Sequence, residues 1–472
     1  MKCNIPNRKD ELLTLEEEQE KRQKEAEDTA KILEIIINLL NPLIAQIPDP
    51  RDPRYIQYTK ENLFLYGITM FCHQMTSRRE TNRQMTDAIT QKNLSLLMPG
   101  LNRVPHADTL AKYLERIGNP HIIQEIHCGL LKKLLRNQSF QRLAGRYIVL
   151  VDGTGKDSKD WKFSNKALHR TKDGKTTYLT YVLEAVLVLE NGMVFPLCTE
   201  FLENVSNEEF DKQDCETKAW KRMAKRLRKI IGKEATIIFD GLYASGPTVL
   251  ICKKYNWDYM ITFKDGSMPA LAEDAHGLMR LEKENRLVTD IEGRHIAISW
   301  INDVEHKISR NNTYMGLNVV RMEETWTELY PNTGKPPEDK KATYQWISSQ
   351  ALSKENVLEV CRLGRSRWFI ENHIKTMKED YSYEHCFSLN WEVNIAYHYF
   401  MNFGFLINII LMSSELLSGL VAMYGGISGF LARLRKIISG IPFDGDRIRD
   451  AISKGYRIDF NLKSIYLHPN PT

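Results

Sequence analysis

Residues 146–263 carry an order of elements that few folds accept. "R-Y-I-V-L-V-D" (Arg146–Asp152) is a short β-rich run that ends in an acid and then Gly-Thr-Gly. "T-Y-L-T-Y-V-L-E-A-V-L-V-L-E" (Thr177–Glu190) reads as a long strand. Asn191-Gly192 signals a two-residue hairpin, and "M-V-F-P-L-C-T-E" (Met193–Glu200) is the returning strand. A basic helix follows over Cys215–Ile231, then a strand over Glu234–Asp240 that again ends in an acid. A helix near Gly246–Tyr255 and a strand over Asp258–Phe263 complete the series.

Three meandering strands followed by helix–strand alternation predict a ribonuclease H-like core, a mixed sheet with helices on its faces. Alternation alone fits other α/β folds. Asp152 and Asp240, each expected just past a strand end, narrow the choice. Beyond 266 the alternation breaks into short β-like runs, His295–Ile301, Tyr314–Met322 and Ala342–Ser349, read as a β-rich insertion. The expected organisation is a helical region over 1–140, which fits a small DNA-binding module and equally any helical domain, the core's first part over 141–265, the insertion over 266–350, the core's second part over 351–410, and a helical region over 411–472. The length of 472 residues fits several domains.

In the N-terminal region the pattern is helical over 11–47. The Pro-rich "I-P-D-P-R-D-P-R" (Ile47–Arg54) breaks it. Asp108 is the expected N-cap of a helix with Leu110, Tyr113 and Leu114 on its apolar stripe. Ala396–Val421 is apolar but interrupted by His398, Asn402, Asn408 and Glu415, so a buried core or interface helix is expected rather than a membrane span. Gly429–Ile438 is an amphipathic stretch suited to contact between subunits.

Net charge is +5, from 65 Lys+Arg against 60 Asp+Glu, a mild excess that permits a nucleic-acid partner without demanding one. The 8 cysteines form no C-x-x-C pair, which argues against a structural zinc site or a disulfide framework and fits a reducing compartment. The N-terminus lacks the apolar region of a secretory signal.

One helical stretch is chemically unusual: "R-S-R-W-F-I-E-N-H-I-K-T-M-K-E-D-Y" (Arg365–Tyr381) sets one acid among bases. On a helix Glu371 and Lys378 fall nearly on one line, with Arg367 and Lys375 about 40° to one side. Ile370, Ile374, Met377 and Tyr381 make a separate packing stripe. Taken alone, Glu371 reads as an ordinary surface ion pair. With Asp152 and Asp240 it becomes the third member of a carboxylate set. In-line displacement at a phosphodiester places charge on the attacking and leaving oxygens, and carboxylate-held divalent ions stabilise both. Flanking bases would hold the phosphate backbone without reading sequence.

These segments resemble the cut-and-paste insertion-sequence transposases with a D-D-E triad. "V-L-V-D-G-T-G" supplies Asp152, "I-I-F-D-G-L-Y-A" supplies Asp240, and the stretch above supplies Glu371. The family's Y-x2-R-x3-E-x6-K signature is matched at Arg367, Glu371 and Lys378, while Gly364 stands at the tyrosine position. "K-Q-D-C-E-T-K-A-W-K-R-M-A-K-R-L" (Lys212–Leu227) is also similar to close members. The resemblance implies Asp152, Asp240 and Glu371 as catalytic ligands of two Mg2+ ions, with Mn2+ as a substitute. It implies Arg367, Lys375 and Lys378 as DNA contacts, with an insertion aromatic, Trp300 or Trp326, stacking on a flipped base. The implied activity is cleavage at the terminal inverted repeats, through hairpin intermediates, and joining to target DNA. The implied setting is a homodimer or higher oligomer on double-stranded DNA in the bacterial cytoplasm, at the nucleoid, with no membrane. Two alternatives stay open: a transposase-derived DNA-binding protein without cleavage activity, and another ribonuclease H-like DNA nuclease.

Overall fold

The computed structural model describes residues 13–137, 146–189, 192–204, 213–264, 266–308, 313–330 and 335–460. Six helices come first: α1 (Leu15–Ile44), α2 (Lys60–Cys72), α3 (Arg78–Gln84), α4 (Ala88–Leu97), α5 (Ala107–Ile117) and α6 (His121–Asn137). α1 opens on a capping box, with the Thr14 side chain accepting from the Glu17 amide and Glu17 accepting from the Thr14 amide. α5 is capped by His106 instead of Asp108, which lies in its first turn and pairs with Arg78 at 3.2 Å.

The sheet then begins with β1 (Tyr147–Lys159), β2 (Leu168–Lys172), β3 (Lys175–Val188) and β4 (Val194–Leu202). After α7 (Glu216–Ile231) come β5 (Ala235–Phe239), α8 (Gly246–Tyr255) and β6 (Asp258–Thr262). β1 pairs antiparallel with β3 and parallel with β5; β5 pairs parallel with β6; β4 lies on the far edge of β3. The order β4-β3-β1-β5-β6 is that of a ribonuclease H-like core, as the sequence leads one to expect. Asn191 of the expected turn lies outside the described residues, while β3 and β4 pair as that turn requires.

Two features differ from the expectation. First, β1 does not stop at Asp152. It runs on to Lys159 because the long β3 pairs with it throughout, with a bulge between Gly155 and Asp157. Asp152 is therefore a mid-strand residue. Second, the insertion starts with a helix, α9 (Pro269–Leu281), before β7 (Arg286–Ile291), β8 (Arg294–Lys307), β9 (Tyr314–Glu328) and β10 (Glu338–Ser348). β10 pairs antiparallel with β6, so the insertion extends the core sheet, giving β2-β3-β1-β5-β6-β10-β9-β8-β7. The hydrogen-bonding edge of β6 is thereby covered.

The chain closes with α10 (Val357–Arg365), α11 (Trp368–Asp380), α12 (Trp391–Ser413), α13 (Glu415–Met423), α14 (Ile427–Gly440) and α15 (Gly445–Ser453). α12 is long and apolar enough to cross a membrane, yet every residue except Glu392 is buried in the protein. It packs against α2, α5, α6 and β4 and so joins the helical region to the sheet. Phe64 of α2 meets Phe400 and Phe403 edge-on at 5.0 and 5.4 Å. The first and last helices form one body. Arg433 pairs with Glu18 and Glu25, and Arg447 with Glu20 and Glu27. Phe430, Leu431, Leu434, Ile437 and Ile438 of α14 are buried within this chain, so that amphipathic stripe is used for internal packing rather than held out for a second subunit.

Candidate active site

The last register pair between the parallel strands β1 and β5 is Val151 with Phe239. Asp152 and Asp240 are the next residues on neighbouring strands that stand about 4.8 Å apart. Asp240 leaves the sheet and its carboxylate accepts from the Leu242 amide at 3.1 Å, fixing the turn that begins there. α11 crosses β1 and brings the third acid. Its Ile370, His373 and Met377 are buried, while Glu371 is exposed. The Arg367 guanidinium joins the two sides: it lies 3.6 Å from the Asp152 carboxylate and hydrogen-bonds Glu371.

Burial pushes the Asp152 carboxyl up from its ordinary value of 3.8 to about 6. Arg367 and the Gly153 amide oppose this, and the charges of Asp240 and Glu216 add to it. Asp152 is thus an acid short of positive charge. Among the described residues no three carboxylates, imidazoles or thiolates stand close enough to cage a metal ion. A cation already bridges the first and third acids, however, and it is Arg367. Three carboxylates are an all-oxygen donor set, the chemistry that a hard divalent ion takes.

Glu216, at the start of α7, belongs to this site and was not singled out from the sequence. Its two oxygens accept from the Tyr181 hydroxyl at 2.9 Å and the Tyr243 hydroxyl at 2.7 Å. A Cβ on Gly153 would fall 2.5 Å from the Glu216 carboxyl carbon, so only glycine allows this approach after Asp152. Glu216 therefore links the Asp152 strand, through β3, to the turn after Asp240. In the sequence its only signal is an acid at a helix start, which elsewhere merely complements the helix dipole.

The other expected contacts divide. Lys378 pairs with Glu384 at 2.7 Å and Lys375 with Glu379 at 3.9 Å, both on the Glu371 helix. Trp300 is only 2% exposed, among Ile298, Val320, Met322 and Trp346. It is a core side chain with no free face for a base, which corrects that expectation. Trp326 is half-buried, with the Arg294 guanidinium 4.2 Å over its ring. Trp161, in the loop after β1, is 50% exposed and follows Lys159 by two residues, yet carried no distinguishing sequence pattern.

Gly364 has a local cause. α10 packs so closely on β6 and β10 that a Cβ there would lie 2.5 Å from Trp346 Cε2 and 2.8 Å from Met260 Cε. Arg365, next along, lies 4.9 Å over the Tyr344 ring and pairs with the buried Glu324. An indole thus fills the space into which a side chain at 364 would point.

No curated protein matches the chain. The family model for the transposase DDE domain matches residues 144–401, which run from the first core strand through the Glu371 helix and into α12. With its ribonuclease H-like sheet and aspartates on β1 and just past the neighbouring strand β5, the chain belongs to the family of transposases with a DDE domain.

Proposed function

We propose that Asp152, Asp240 and Glu371 form the catalytic centre of a DNA-cleaving and DNA-joining transposase that acts on the terminal inverted repeats of its own element. The observation that supports this best is one arginine set between Asp152 and the helix-borne Glu371, with Asp240 following the strand that neighbours the Asp152 strand. The three acids would hold Mg2+, as two ions, with Mn2+ as a substitute. Bound metal supplies stabilisation of the charge that develops on the attacking and leaving oxygens.

The chain's own groups do the remaining work. Arg367, drawn by Asp152 and Glu371 in the protein alone, turns to a phosphate when DNA is present. Lys375 and Lys378 lie about one and two turns beyond Glu371 on the same helix and hold further phosphates. Glu216 with Tyr181 and Tyr243 keeps β1, β3 and the Asp240 turn in register, so the acids need little reorganisation. Hydrolysis of one strand at each end frees a 3′-hydroxyl, which attacks the opposite strand, closing a hairpin and releasing the flanking DNA. A second hydrolysis opens the hairpin, and the regenerated 3′-hydroxyl attacks target DNA, displacing a target 3′-hydroxyl. Trp326 remains the candidate for stacking on a base. Two ends joined in one event call for a homodimer or larger assembly on DNA, in the bacterial cytoplasm at the nucleoid.

The test is a duplex carrying the DNA that borders the gene, incubated with the full chain. Cleavage at the repeat boundary that needs Mg2+ or Mn2+ and stops in EDTA is expected. Tight binding of the repeats with no cleavage under any divalent ion would instead identify a non-catalytic DNA-binding protein.

A further inference from the structure

We propose that the β2–β3 hairpin is a basic arm that grips double-stranded DNA about one helical turn away from the acids. The proposal rests on the reading of the site as a DNA-cleaving centre and adds a contact surface to it. The hairpin sequence "H-R-T-K-D-G-K-T" (His169–Thr176) has three lysine or arginine residues, a histidine and one acid. Its turn is Asp173-Gly174, with φ of 49° and 76°. Both values are left-handed, which gives a two-residue loop whose twist matches the flanking strands and needs no outside support.

The two faces of this ribbon differ. Side chains alternate along a strand, so Arg170 and Lys172 share a face. Their partners across the ladder are Thr177 and Lys175, which places Lys175 on that face too. The opposite face closes on itself. The Thr171 and Thr176 hydroxyls hydrogen-bond at 3.0 Å, and the His169 and Tyr178 rings lie 6.2 Å apart. At its base the arm is braced by Gln213, whose side chain accepts from the His169 amide at 2.6 Å and donates to the His169 carbonyl at 2.7 Å.

Arg170 through Lys175 are exposed, and among the described residues Arg170, Lys172 and Lys175 have no acidic partner. Lys172 and Lys175 stand directly opposite each other in the last pair, where like charges destabilise a ladder. A polyanion lying along this face removes that repulsion. A two-stranded ribbon also fits the major groove of B-DNA. Reach sets the position. From Lys175, β3 runs nine residues to Glu184, which pairs across the ladder with Asp152. At about 3.3 Å per residue this is roughly 30 Å, close to the helical repeat of DNA.

The test compares the full wild-type chain with Arg170→Gln/Lys172→Gln/Lys175→Gln and with Lys172→Arg/Lys175→Arg. Each is titrated by anisotropy against a labelled 40-bp duplex of mixed sequence over a KCl series. Loss of three phosphate contacts should lower the slope of log Kd against log[KCl] by about two to three, while the arginine pair keeps the wild-type slope. A glutamine triple with the wild-type slope and affinity overturns the arm and leaves the cleavage centre untouched. A wild-type chain that does not bind the duplex overturns both readings.

Discussion

Asp152→Asn is expected to give a protein that folds better at neutral pH and cleaves no DNA. Asp152 ordinarily titrates at 3.8 and is raised to about 6 by burial. The folded state thus holds that proton more tightly than the unfolded chain does. Stability from this protonated carboxyl is fully present below about pH 4 and is lost as pH rises through 6. A shift of roughly two units corresponds to about 3 kcal/mol, so the neutral amide should stabilise the protein by up to that amount at pH 7.5. At pH 4 the two proteins should unfold alike. Urea unfolding at both pH values measures this. Cleavage should fall on the order of 10³-fold or more, the scale on which loss of one preorganised electrostatic group acts. An amide variant that is less stable at pH 7.5 and still cuts would contradict both halves.

The second large effect lies directly across the ladder. Glu184 pairs with Asp152 in register and is 2% exposed. It accepts hydroxyl hydrogen bonds from Thr199 and Tyr383, both at 2.6 Å, and its carboxylate lies 3.3 Å from His398 Nε2. Burial holds the His398 imidazole neutral, below its ordinary range. The counter-charge is Lys156, 2% exposed, whose ammonium donates to the Tyr383 carbonyl at 2.6 Å and lies over the Tyr383 ring. Burial lowers Lys156 to about 8, and Glu184 is the first group opposing that drop. Glu184→Ala strands a buried cation and two hydroxyls, with an expected loss of about 3–5 kcal/mol. Glu184→Gln keeps an acceptor and should lose less. Equilibrium unfolding in urea decides; a loss under about 1 kcal/mol for the alanine variant would show that the network does not carry the fold.

Much of the core was legible because its strands are continuous Val/Ile/Leu runs broken by clear turns, such as "E-A-T-I-I-F-D" before Asp240. Period and punctuation suffice for elements buried on both faces. The misreadings come from tertiary context. "G-T-G-K-D-S-K" after Asp152 looks like a loop, yet pairing with β3 keeps it in the sheet. The insertion reads only as short β-like runs, but β10 continues the sheet from β6 through long-range pairing that no local pattern announces. Trp300 and Trp326 are alike in sequence terms, and only the sheet register decides which indole faces the core. Glu216 could not be told from an ordinary first-turn acid without Tyr181 and Tyr243 beside it.

If Asp152, Asp240 and Glu371 hold the metal together, removing any one of them must weaken its binding. Mn2+ binding, followed by electron paramagnetic resonance on the protein–DNA complex, is the decisive measurement. Saturable Mn2+ sites in the wild type, lost or sharply weakened in each of Asp152→Asn, Asp240→Asn and Glu371→Gln, is the predicted result. Wild-type Mn2+ binding in any one of the three would contradict the account.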